Sequence, residues 1–107
     1  MPHNRNIESL LLAYYGNLLT DHQRNILEEY YYEDLSMNEI ADNFNISKSA
    51  VQDLIKRTLK QLNEYETSLQ LIEKDEKINE VIEELYNYKD KNIKILADKL
   101  KNITKGE

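Results

Sequence analysis

The sequence predicts an all-α protein, and three observations carry that prediction. Apolar residues recur three and four positions apart along nearly the whole chain. Charged residues make up 32% and hydrophobic ones 40%, with only Pro2, Gly16 and Gly106 as strong breakers, a balance that favours helices over a turn-rich all-β fold. Thr20, Ser36 and Ser47 each precede an apolar-periodic run, where a hydroxyl can cap a helix start. A chain of 107 residues fits one small domain with a helical extension. The division is expected between residues 1–66, a helix-turn-helix domain, and residues 67–107, a C-terminal helical extension.

Ile7, Leu10, Leu11 and Tyr14 share one face, so an amphipathic helix is expected over residues 4–15, ending at Gly16 in the left-handed position that follows many helices. Thr20 then caps a second helix with the stripe Ile26, Leu27, Tyr30 and Tyr31, which turns Tyr32 to the opposite side. Three consecutive tyrosines invite a base-stacking role, yet this spacing assigns two of the rings to the buried face, and core packing is the expected role. Ser36 and Glu39 form a capping box for a short third helix carrying Ile40, Ala41 and Phe44. After a turn at Asn45-Ile46, Ser47 caps a long fourth helix. Its apolar positions Val51, Leu54, Ile55, Leu59, Leu62, Tyr65, Leu69 and Ile72 hold one face for about six turns. The stripe beyond Leu59 needs a partner, either the later helices of the same chain or a second copy. Helix-turn-helix proteins often act as dimers, and a homodimer is expected. A fifth stripe follows at Ile78, Val81, Ile82 and Leu85, and a sixth at Ile93, Leu96, Leu100 and Ile103, with a hinge near Lys89-Asp90-Lys91.

The chain has no cysteine, which excludes disulfides and thiolate metal sites. Its start lacks the basic segment, length and small-residue cleavage site of a signal peptide, and no run of eighteen apolar residues is present, so no membrane span and a cytoplasmic location are expected. No enzyme is expected either. His3 and His22 are the only imidazoles, no Gly-rich phosphate loop exists, and HxxxH and DxDxDG spacings are absent. No cofactor or metal is called for: the acidic clusters around Glu28-Glu29-Glu33-Asp34 and Asp75-Glu76-Glu80 read as solvated helix faces.

A helix-turn-helix needs a small residue where its helices cross, a turn residue tolerant of positive φ, and apolar residues that hold the second helix down. Ala41, Asn45, and the set Ile40, Phe44, Ile46, Val51 and Leu54 meet these needs. The outward positions of the fourth helix are then Ser47, Lys48, Ser49, Gln52, Asp53, Lys56 and Arg57. On nucleic acid, Lys48, Ser49 and Gln52 near the amino end would reach base edges, while Lys56, Arg57 and the following Lys60 would pair with phosphates. Thr20, Gln23 and Arg24 could add backbone contacts from the start of the second helix. Charge argues in both directions. Residues 47–60 carry Lys48, Lys56, Arg57 and Lys60 against Asp53 alone, but residues 21–46 carry one arginine against seven acids, and the chain sums to -6. A polyanion repels such a chain at long range.

The run from Leu18 to Glu66 resembles region 4 of the sigma factors of bacterial RNA polymerase, a helix-turn-helix module. With "YYGNLLT", "EDLSMNEIA" and "AVQDLIKR" in order, the chain is more closely similar to the YlxM family, small helix-turn-helix proteins associated with signal recognition particle genes. That family commonly has Ser-Arg-Gln before "AV"; here the residues are Ser47-Lys48-Ser49. Two side chains suited to bidentate base contacts are thereby lost. The resemblance implies a regulatory or accessory role in the signal recognition particle pathway, through its RNA or through its GTPase. The alternatives from the residues themselves are a DNA-binding regulator and a purely protein-facing module.

Overall fold

A computed structural model describes residues 5–105, so His3, Pro2 and Gly106 lie outside the described residues. The described residues form six α-helices and one 3-10 turn, with no strand among them. These are α1 (Arg5–Tyr15), the turn Gly16–Leu18, α2 (Asp21–Tyr31), α3 (Met37–Phe44), α4 (Lys48–Leu69), α5 (Leu71–Tyr86) and α6 (Lys91–Thr104). They divide into two compact units, Met1–Leu69 and Gln70–Glu107.

In the first unit, α4 is the central strut and packs against α1, α2 and α3. Leu11, Leu12 and Tyr15 of α1, Ile26 and Leu27 of α2, Ile40 of α3, and Val51, Ile55 and Leu62 of α4 are buried. The α1 face differs from the expected one: Ile7 and Leu10 are exposed, and Leu12 and Tyr15 point inward. Tyr15 explains the rotation. Its ring lies 6.0 Å from that of Tyr65, and its hydroxyl donates to Glu66 Oε1 at 2.5 Å, so a large ring and its polar tip are both satisfied on the rear half of α4. The stripe beyond Leu59 is thus covered by α1 as far as Glu66.

Gly16 also departs from expectation. It opens the 3-10 turn without a left-handed φ, and a Cβ placed on it would sit 3.4 Å from Leu12 Cδ1. That is ordinary van der Waals contact, so neither backbone freedom nor small size requires a glycine at this buried position. Of the three tyrosines, Tyr30 and Tyr31 are half-buried and meet edge to face at 4.9 Å, while Tyr32 is exposed. The guanidinium of Arg5 lies over the Tyr30 ring at 4.5 Å and also pairs with Asp34, tying α1 to the end of α2. Burial, and then a hydrogen bond donated to Glu8, hold the Tyr31 phenol well above the ordinary tyrosine range.

α4 stops at Leu69, earlier than its stripe suggested. Gln70 takes the left-handed conformation, φ 55°, and Ile72 belongs to α5. In the second unit α5 and α6 pack on each other, with Ile82 and Ala97 buried between them. Tyr86 donates to Asp98, and the Lys101 ammonium lies 5.7 Å from the Tyr86 ring centre. Asp90 caps α6 by accepting from the backbone N–H of Asn92 and Ile93.

Candidate nucleic-acid interface

The turn between α3 and α4 is built from the chain's own capping chemistry. Ser36 accepts from the Glu39 backbone N–H at 3.1 Å while the Glu39 carboxylate accepts from the Ser36 N–H at 3.0 Å, closing the α3 start. Hydrogen bonds to the carboxylate from Ser36, from its backbone first and then its side chain, hold the Glu39 carboxyl below the usual glutamate range. At the other end Asn45 is left-handed, φ 55° and ψ 46°, and the Ile46 N–H reaches back to the Ala41 carbonyl at 3.1 Å. Ser47 then accepts from the Ala50 N–H at 3.0 Å and starts α4. Ile40, Ala41, Val51 and Ile55 are buried, so the two helices are held by small and branched side chains at their crossing. His22 lies edge to face with Phe44 at 5.8 Å, a packing contact between α2 and α3.

Lys48, Ser49, Gln52, Lys56, Arg57 and Lys60 are all exposed. Ser49, Lys56 and Lys60, with Asp53, follow one another at helical spacing on the side of α4 opposite its buried residues Val51, Ile55, Thr58 and Leu62. The stretch from Lys48 to Lys60 covers roughly 18 Å along the axis. Within it the cations differ. Arg57 is bound to Asp53 at 2.8 Å, whereas Lys48, Lys56 and Lys60 make no ion pair among the described residues. The i,i+4 spacing of Asp53 and Arg57 is the signal that could have revealed this pairing in the sequence.

The residues at the α2 start are placed differently. Thr20 and Gln23 close a reciprocal capping box, and the Gln23 amide also donates to Gln61 Oε1 at 3.2 Å; Gln61 in turn donates to the Tyr65 hydroxyl at 2.7 Å. This chain of polar groups sets the α2 start beside the rear half of α4, about 20 Å from the Lys48 end at the helical rise per residue. Thr20 therefore caps α2, and Gln23 ties its start to α4. Arg24 pairs with Asp21 at 3.1 Å and lies within 3.5 Å of Asn17. The α4 residues are exposed along one helix, and the α2 residues are not brought to its amino end.

Among the described residues no three His, Asp or Glu side chains converge as a metal site requires, and no helix is long and apolar enough to cross a membrane.

Comparison with known proteins agrees with this geometry. Residues 3–103 match the family model described as "Putative helix-turn-helix protein, YlxM / p13 like". A UPF0122 protein of Clostridium kluyveri is 46% identical over 101 residues, covering 88% of each chain. A UPF0122 protein of Clostridium perfringens is 44% identical over 95 residues, covering 89% of this chain and 85% of its own. One from Shouchella clausii is 47% identical over 75 residues, covering 70% and 69%.

Proposed function

The chain belongs to the UPF0122 family of YlxM/p13-like helix-turn-helix proteins, and from that premise we propose that it is a non-catalytic, cytoplasmic accessory or regulatory protein of the signal recognition particle pathway that touches the particle's RNA through α4. The observation that supports nucleic-acid contact is the exposed α4 surface, where Lys48, Lys56 and Lys60 stand without ion pairs among the described residues beside Ser49 and Gln52. Three lysines exposed on one helix, Lys56 and Lys60 on a common face and Lys48 about a third of a turn round from Lys60, are point charges suited to phosphates. With no arginine fork free at its amino end, the surface favours backbone and shape recognition over base reading.

The test is a fluorescence-anisotropy titration against signal recognition particle RNA, with random duplex DNA and unrelated RNA of equal length as controls. Tighter binding to the particle RNA is expected, with a loss of about tenfold or more when Lys48, Lys56 and Lys60 are all changed to Ala. Tighter binding to the duplex would transfer the surface to a DNA-binding regulator.

A second reading is supported by the charges around that surface. Arg24 and Arg57 are already neutralised by Asp21 and Asp53, and α2 and α3 present Glu28, Glu29, Glu39 and Asp42. A protein-facing module that modulates the particle's GTPase fits this acidic side. Changed GTP turnover with no RNA affinity is its expected result.

A further inference from the structure

The second unit leaves most of its large apolar side chains in water. Ile82 and Ala97 are buried between α5 and α6, yet Val81 is 52% exposed, Leu96 56% and Ile103 71%, and Ile78 and Leu100 are exposed as well. These residues are not scattered. Ile78 and Val81 with the half-buried Leu85 on α5, and Leu96, Leu100 and Ile103 on α6, are spaced three and four apart, the pattern of a coiled-coil seam. Packing within the hairpin uses another side of each helix, that of Ile82 and Tyr86 on α5 and of Ala97, Lys101 and Thr104 on α6. Contiguous exposed apolar surface of this kind marks an interaction site, and a helical pair of under about 40 residues needs outside support to be stable.

We propose that a second copy of the same hairpin covers this face, forming a four-helix bundle in which α5 of each copy lies beside α6 of the other. Charge selects this occupant. α5 carries six acids against Lys74 and Lys77, while α6 carries Lys91, Lys94, Lys99 and Lys101 against Asp98. At the seam, Glu80 and Glu84 flank the α5 stripe on the side away from the hairpin contact, and Lys99 flanks the α6 stripe in the same way. A two-fold axis brings an acidic helix beside a basic one twice. A uniformly acidic or basic partner would match one helix and repel the other, so the self-complementary pattern fits a second copy. The inference stands independently of nucleic-acid contact by α4.

Light scattering on the full chain tests it. At tens of micromolar the expected mass is twice 12.7 kDa. Leu100→Glu should return it to the mass of one chain, whereas Ile7→Glu, on the exposed side of α1, should leave it unchanged. Lys99→Glu and Glu84→Lys should each weaken self-association about fivefold, since two equivalent pairs become like-charged. An equimolar mixture of these two variants should recover tight pairing, a result that loss of folding cannot produce. A wild-type mass of 12.7 kDa would overturn the proposal. A Leu100→Glu protein that still doubles, or a mixture no tighter than either variant alone, would do the same.

Discussion

Thr58 is a single hydroxyl set inside the apolar side of α4. It is 1% exposed, and its Oγ1 has no hydrogen-bond partner among the described residues. Burying an unsatisfied hydroxyl costs on the order of 1–3 kcal/mol, and valine has nearly the same shape without the polar atom. Thr58→Val is expected to stabilise the protein by about 1 kcal/mol, seen as a higher urea midpoint at unchanged slope. A lower midpoint would mean that the hydroxyl has a role in holding the helices. The other buried polar tips are better provided for. Tyr15 and Tyr31 each donate to a carboxylate, Glu66 and Glu8, that spacing alone could not have paired with them because the partners lie on other helices. What spacing did disclose was which of the three tyrosines is exposed, since Tyr32 stands about a third of a turn from Tyr31 along any helix.

Helix ends account for the next level of order. The capping box of Ser36 and Glu39 depends on an ionised carboxylate, because the Ser36 N–H is donated to it and its pKa is lowered from the ordinary 4.5. A group with a depressed folded-state pKa adds stability above its unfolded value and loses it as pH falls through the folded one. The stability gap between wild type and Glu39→Ala is therefore expected to be largest near neutrality and to narrow as pH falls below the ordinary glutamate range; a gap that is constant with pH would show that the carboxylate's charge is irrelevant to the cap. Such ends are legible in the sequence when the residue type announces the conformation. Asn45 in the turn and the three capping hydroxyls did so. Gln70 did not, because glutamine has no special tolerance for its left-handed φ of 55°, and the stripe of α4 continued past it without interruption. The face of α1 was hidden for a different reason. Ile7, Leu10, Leu11, Leu12, Tyr14 and Tyr15 crowd its eleven residues, so the period was clear while the phase was set by what α4 offered.

Across the whole molecule, charge decides how any polyanion is met. The formal net charge is -6, yet the outward side of α4 is basic. The exposure of the α4 residues follows from the period of a single helix, and the Asp21–Arg24 pair from its spacing of three, whereas the bond from Gln23 to Gln61 joins two helices and arises only in the fold. The Asp53–Arg57 pair has a further consequence, which belongs to the ion atmosphere of the nucleic acid. Each phosphate neutralised by a protein cation frees about 0.7 of a condensed counterion from a single strand, or about 0.9 from a duplex. With three lysines available and Arg57 already held, a plot of log affinity against log salt on duplex nucleic acid should fall with a slope of about -2.7. Asp53→Asn releases the fourth cation and should steepen that slope by about 0.9. An unchanged slope would place Arg57 outside the contact; the steeper one would show that its aspartate partner sets how many counterions the protein displaces.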